Sequence, residues 1–211
     1  MRKTNVYVDG FNLYYALKKD KVKWLDLGAL CGRLLTENDI VAIKYFTARV
    51  KSRVGDLDVH VRQNVYLDAL KTNPKIEVIF GHFLTNNVWM AQTKDEGKPL
   101  EQIKKVQVIK TEEKGSDVNI ATHLLIDGFL NKYEVAAVIT NDSDLKLPIE
   151  MVKTVLKNTV GVICPHEKPS KELIKSAGFF KTVKPSTYIE CQFTDKISFN
   201  GRVIHKPKTW A

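Results

Sequence analysis

Short β-branched and aromatic runs alternate along the chain with stretches of helical periodicity. Asn5 to Asp9 is the first such run, Gly10 makes a tight turn, and Asn12 precedes the helical stretch Leu13–Leu17. The pattern then predicts a helix over Leu25–Leu35 with Asp26 near its start, a strand over Ile40–Val50, and a helix over Leu57–Leu70 ended by Asn73-Pro74. Ile76–Phe80 reads as a third strand. Later, Ser116 is expected to cap a helix running to about Leu130. Strand Val135–Thr140, helix Leu145–Leu156, strand Val160–Cys164 and a short helix over Ser170–Ser176 follow.

Between Phe83 and Lys110 the rhythm stops. Two partly alternating polar runs flank Lys94-Asp95-Glu96-Gly97-Lys98-Pro99, the pattern of an inserted antiparallel hairpin that carries Trp89 and several lysines. From Phe179 onward the chain is strand-like and basic without another βα period, which reads as an appendage. Strands alternating with helices argue for an α/β fold whose mostly parallel sheet is covered on both faces, and such sheets bind ligands at the carboxyl ends of their strands.

A chain of 211 residues can bury one core without disulfide or metal staples. Its 33 Lys and Arg against 24 Asp and Glu leave a net charge of +9, which favours a polyanionic partner, although an ordinary solvated basic surface produces the same number. Cys31, Cys164 and Cys191 have no CxxC spacing, so neither a disulfide framework nor a zinc site is supported and a reducing cytoplasm fits. Met1-Arg2-Lys3 runs directly into the first strand, too short for a signal sequence, and no apolar run approaches a membrane span. The expectation is a soluble cytoplasmic protein.

The candidate chemistry lies in aspartates at strand ends. Asp9 ends the first strand, Asp117 opens the helix before the fourth, and Asp142 and Asp144 directly follow the fourth. Two carboxylates about 4 Å apart repel by roughly 4 kcal/mol at an effective dielectric of about 20, so convergence on one edge calls for a cation. Hard oxygen ligands suit Mg²⁺ or Mn²⁺, ions that also coordinate phosphate oxygens and activate water for phosphodiester hydrolysis. Each residue has a plain structural alternative. Asp9 can be a turn residue, Asp117 a partner of its helix dipole, Asp142 or Asp144 an N-cap, and Asn12 the N-cap of the first helix.

Tyr7-Val8-Asp9-Gly10-Phe11-Asn12, Lys114-Gly115-Ser116-Asp117 and Thr140-Asn141-Asp142-Ser143-Asp144, in this order and with Pro148 following, resemble the NYN domain, a PIN-like nuclease family. The resemblance covers about residues 3–164. It implies a Rossmann-like PIN-type α/β/α sandwich, with a nuclease domain over residues 1–178, a hairpin insert at about 83–110 and a basic extension over 179–211. It also implies a metal-dependent ribonuclease site in which Asp9, Asp117, Asp142 and Asp144 bind Mg²⁺ or Mn²⁺ and Asn12 is accessory. Where many NYN sequences carry a further acid, this chain has His123, whose apolar neighbours favour a packed helix histidine, with Asp127 a turn later.

In the family-like strand order the second strand lies beside the first, which would bring Arg49, Lys51 and Arg53 to the mouth that Asp9 lines. Lys114 is a further candidate for a phosphate contact, and Trp89 or Tyr14 would stack a base if exposed. The hairpin and the tail lysines would extend such a track, or serve a homodimer or cover a sheet edge. Two other functions compete with an RNA nuclease: a nucleic-acid-binding or scaffold protein without turnover, and a phosphatase. The Asp-x-Asp pair follows the fourth strand instead of the first, which disfavours haloacid-dehalogenase-type phosphatases, and there is no P-loop or dinucleotide fingerprint.

Overall fold

Neighbouring side chains on β1 (Arg2–Asp9) enter two different cores. Val6 and Val8 point into one, with Leu13 and Leu17 of α1 (Gly10–Asp20), Leu27 and Leu30 of α2 (Leu27–Leu34), and Tyr66 and Leu70 of α3 (Val59–Leu70). Tyr7 points into the other, with Ile120 and Leu124 of α4 (Ser116–Phe129), Ile149 and Val152 of α5 (Lys146–Thr154) and Leu173 of α6 (Lys171–Ser176). Burial on both faces is why this strand reads as a nearly continuous apolar run. The computed structural model describes residues 1–20, 22–52 and 55–210.

The central sheet has six strands: β1, β2 (Asn38–Thr47), β3 (Ile76–Phe80), β6 (Val135–Ile139), β7 (Thr159–Cys164) and β8 (Phe179–Thr182). Their order is β3-β2-β1-β6-β7-β8, and every pairing is parallel. The chain begins in the middle, works outward to β3, and returns through α4 to the other side of β1. The strand order therefore reverses between β1 and β6, where open parallel sheets present a crevice at their carboxyl ends.

The antiparallel insert is β4 (His82–Ala91) paired with β5 (Lys105–Lys114), longer at its far end than the sequence pattern indicates. Its tip is closed by buried Asp95, which accepts hydrogen bonds from Lys98 Nζ (2.7 Å) and the backbone N of Lys104 (2.9 Å). Its base is held by the Phe11–Phe83 edge contact at 5.5 Å and by Glu113, which accepts from both the backbone N and the Oγ of Ser116. The helix α4 begins at Ser116 itself, so the cap position belongs to Gly115, whose φ of 95° favours glycine.

Two further elements differ from what the hydrophobic pattern predicts. Helix α1 starts at Gly10, two residues before Asn12, because the Asp9 carboxylate accepts from the Asn12 backbone N at 2.9 Å and is itself the cap. A Cβ at position 10 would stand 2.4 Å from the Phe46 carbonyl oxygen, so glycine permits α1 to start this close to β2. The strand-like character read from Phe179 onward is borne out at Phe179–Thr182, but this segment joins the central sheet as its sixth strand, where an appendage is expected from the sequence. After α7 (Pro185–Glu190) the chain straps across the first core: Trp24 Nε1 donates to the Thr194 carbonyl, and the Trp24 ring meets those of Phe193 and Trp210. A small hairpin, β9 (Lys196–Phe199) with β10 (Arg202–His205), completes the tail.

His123 and Asp127 belong to a buried ionic cluster in the second core. Asp127, 1% exposed, accepts from Lys44 Nζ and from Tyr7 Oη (2.9 Å), and Lys132 lies 3.2 Å from its other oxygen. His123 Nδ1 is 3.1 Å from Lys44 Nζ. Burial works against the Asp127 charge, but the hydrogen bonds from Lys44, Tyr7 and Lys132 outweigh it and hold this carboxyl below its ordinary range. Burial, then the Lys44 charge, pushes the His123 imidazole down, so it sits neutral beside the ammonium. Lys44→Met should cost about 3 kcal/mol in urea denaturation by leaving Asp127 without its main partner, and adding Asp127→Leu should recover most of the loss. Equal destabilisation in the single and double variants would contradict this account of the cluster.

Candidate metal and nucleic-acid site

The parallel register brings the carboxyl end of β1 beside that of β6, so Asp9 faces the turn that starts at Thr140. Asp9 is 5% exposed and fully engaged: Oδ1 accepts from Asn12 N, and Oδ2 accepts from Thr140 Oγ1 at 3.0 Å. Thr140 Oγ1 in turn accepts from the backbone N of Asp142 at 3.0 Å. Asp142 Oδ1 accepts from Asp144 N at 3.0 Å, shaping the short 3₁₀ turn Ser143–Leu145. Asp142 therefore does serve as the N-cap it was weighed as, and Asp9, weighed as a turn residue, takes the capping role expected of Asn12; these bonds fix both carboxylates in place.

Asp117 enters the same crevice from the first turn of α4. Partial burial raises its carboxyl, and the charges of Asp9, Asp142, Glu113 and Asp144 raise it further, to about 6. Asp9 is also raised, by burial first and then by Asp142 and Glu113, despite its two hydrogen bonds. Asp9, Asp142 and Asp144 thus all act electrostatically on Asp117, together with a further acid, Glu113, that the motifs do not single out. Its signal in the sequence is an acid at the end of a strand three residues before a helix start, a pattern that reads equally as an ordinary cap.

Asn12 sits behind Asp9. Its Oδ1 accepts from the backbone N of Asn141 (2.9 Å) and is 3.0 Å from His166 Nε2. The backbone donor fixes which end of the amide is oxygen, so Nε2 carries the proton in that contact. Asn141 spans the next loop, donating through Nδ2 to the Lys168 carbonyl and accepting at Oδ1 from Ser170 N. Neither His166 nor Asn141 is predicted as a site residue from the sequence, although both lie just past strand ends, where the sheet rule directs attention. Tyr15, Asn141, His166 and Lys168 help line a groove of about 480 Å³ on this side.

The predicted cations are placed less uniformly. Arg49 is exposed beyond β2, donates to Asn64 Oδ1, and lies 4.5 Å over the Phe80 ring; Lys51 is also exposed. Arg53 lies outside the described residues. Lys114 ends β5 with its ammonium 3.6 Å from Glu112, on the hairpin face opposite Glu113. Trp89 is 65% exposed on the same hairpin face as Phe83 and Glu113, and Tyr14 is half-buried against Tyr15.

The donor set is all oxygen and anionic, which fits a hard divalent cation. Among the described residues, no three His, Cys, Asp or Glu side chains stand close enough to enclose an ion.

The sequence pattern of the NYN domain matches residues 3–184. The chain belongs to the NYN domain family. This is a family of PIN-like nucleases, so the carboxylate-lined crevice occupies a nuclease fold. A curated relative named 6-hydroxy-3-succinoylpyridine 3-monooxygenase HspA, from Pseudomonas putida (strain DSM 28022 / S16), is 28% identical over 236 residues. That match spans 99% of this chain and 75% of the relative. The solved structure of VPA0982, a protein of unknown function from Vibrio parahaemolyticus RIMD 2210633, aligns with a TM-score of 0.55 at 16% identity over 87% of this chain and 93% of that one, a likeness of fold. The three cysteines of the chain are free and buried, and among the described residues no helix is long and apolar enough to cross a membrane.

The raised Asp117 carboxyl makes stability depend on pH. Folding favours its protonated form, so its stabilising contribution is complete below the ordinary value of 3.8 and is lost as pH rises through about 6. At pH 7.5 Asp117→Asn should stabilise the metal-free protein by about 1 kcal/mol, a figure reduced for a partly exposed side chain. Denaturant melts should show this gain shrinking to nothing by about pH 4; a gain independent of pH would mean that charge crowding is not its source.

Proposed function

We propose that this NYN domain hydrolyses phosphodiester bonds in single-stranded or structured RNA, with Mg²⁺ or Mn²⁺ held by Asp9, Asp117, Asp142 and Asp144. The observation that carries the reading is the raised Asp117 carboxyl: one side chain feels four neighbouring acids, an arrangement that is costly until a cation occupies it. When bound, such a cation supplies Lewis acidity toward a phosphate oxygen and toward the attacking water.

The residues do the rest. Thr140 Oγ1 and the Asn12 backbone N hold both oxygens of Asp9, so this ligand is preorganised before substrate arrives. Asn12 Oδ1 is committed to Asn141 and His166, which leaves its amide NH₂ as the end able to orient a water or phosphate oxygen. Glu113 joins the acid cluster while capping α4, which couples the base of the hairpin to the site. Arg49 and Lys51, one strand over on the same sheet edge, are suited to phosphates flanking the scissile bond. RNA rather than DNA follows from the family alone.

Cleavage of a labelled single-stranded RNA should require Mg²⁺ or Mn²⁺, stop with EDTA, and fall at least about a hundredfold in Asp117→Asn while RNA binding persists. An unchanged rate in that variant would remove Asp117 from the site. Arg49→Ala with Lys51→Ala should weaken RNA binding and lower the slope of log affinity against log salt by about one for each phosphate no longer neutralised.

The name of the HspA relative, whose match spans nearly the whole chain, supports a second reading. In it the chain would insert one atom of O₂ into a hydroxypyridine ring, the other atom leaving as water with two electrons from a nicotinamide or flavin reductant. Oxygen uptake that depends on both 6-hydroxy-3-succinoylpyridine and that reductant, with no metal-dependent RNA products, would favour it over the nuclease.

A further inference from the structure

The groove beside Asn12 is lined by none of the clustered acids, and Asn12 links the two: its backbone N donates to Asp9 and its Oδ1 meets His166. Asn12, Tyr15 and Ala16 fall at i, i+3 and i+4 on α1 and so share one flank of the helix. The opposite wall is the loop after β7, Pro165, His166, Glu167 and Lys168. That loop is anchored to the site at two points, by His166 on Asn12 Oδ1 and by Asn141 Nδ2 on the Lys168 carbonyl. The groove's volume of about 480 Å³ lies within the range of about 300–1,000 Å³ usual for sites that take small ligands.

The lining is specific in kind. Tyr15 is 63% exposed while Leu13, Ala16 and Leu17 around it face the core, so its ring is presented outward at the rim. Across from it stand the His166 imidazole, the Glu167 carboxylate and the ammonium-bearing side chain of Lys168. An aromatic platform with basic groups opposite matches a base and its phosphate, because base–aromatic stacking accepts any base and a lysine accepts any phosphate. The path continues from Asp9 through Asn12, whose backbone N and Oδ1 contact the acid and the groove respectively.

We infer that this groove seats one nucleotide of the substrate strand next to the scissile phosphate, with its base on Tyr15 and its phosphate toward His166 and Lys168. The identity of the strand rests on the nuclease reading, but the groove's preference for a nucleotide is separable from turnover. Tyr15 then binds substrate on the side of the acids away from Arg49 and the hairpin.

Two measurements on the full chain test it. With a single-stranded oligoribonucleotide and Mg²⁺ or Mn²⁺, Tyr15→Ala should raise KM about tenfold and lower kcat less than about twofold, and Tyr15→Phe should restore KM because the ring is what matters. Separately, titrating the metal-free protein with a 5′-mononucleotide should shift the His166 imidazole resonances, assigned with His166→Gln, and Lys168→Ala should weaken that response several-fold. An unchanged KM in Tyr15→Ala, or shifts confined to other histidines, would overturn the subsite, as would binding of 6-hydroxy-3-succinoylpyridine there with no response to the nucleotide. If the mononucleotide shifts His166 but no RNA is cleaved by the wild-type protein, the subsite stands and the nuclease reading falls.

Discussion

Asp9 is held at both oxygens. One accepts the Asn12 backbone N and so starts α1; the other accepts Thr140 Oγ1 and so joins the end of β1 to the turn after β6. Because these two strands flank the point where strand order reverses, that single carboxylate ties the two halves of the sheet together at the mouth of the crevice. The other acids are placed relative to it: Asp142 through the Thr140 hydroxyl, Asp144 through Asp142, and Asp117 through the packing of α4 on β1 and β2. A buried anion fixed this way cannot retreat when others approach. Burial first, and then the neighbouring acids, raise the carboxyls of Asp117 and Asp9, and a divalent cation would relieve the repulsive part.

The molecule carries a second ionic system on the same face of the sheet, and the two behave oppositely. Around Asp127 the chain supplies its own cations, Lys44 and Lys132, and a phenol, so the carboxyl is held low and the cluster is complete in itself. Around Asp117 the charges that act most strongly among the described residues are acids. One helix, α4, thus bears a satisfied carboxylate near its end and a crowded one at its start. His123 belongs with the first group. The acids acting on Asp117 in the crevice are Asp9, Asp142, Glu113 and Asp144.

The surroundings of the crevice divide into two sides. On one lie Arg49, Lys51 and the hairpin, whose base is secured by Phe83 and Glu113. On the other lies the groove bounded by Tyr15 and the His166 loop, held in place by Asn12 and Asn141. A polyanionic strand crossing from one side to the other would pass over the acids, and the +9 net charge of the chain is compatible with drawing it there. The near full-length match to a protein named as a monooxygenase sets a different chemistry against this picture, to be separated by substrate.

The strands at the centre of the sheet were legible from the order of amino acids, since β1, β2, β6 and β7 are buried on both faces over most of their length and their apolar runs stand out. The motifs at their ends were legible too, because Asp9, Asp117, Asp142 and Asp144 sit where a parallel sheet exposes its carboxyl edge. Which further side chains share that edge depended on the folded arrangement. Glu113, Asn141 and His166 are brought in by a hairpin and by loops, whose positions depend on long-range hydrogen bonds and leave no period in the sequence. The place of β8 in the sheet and the strap of the tail were hidden for the same reason: four residues of β8 are too few for a pattern that fixes their partner strand, and Trp24 acquires its partners from the far end of the chain. Local chemistry names the acids, but their mutual electrostatic cost exists only once the strands are side by side.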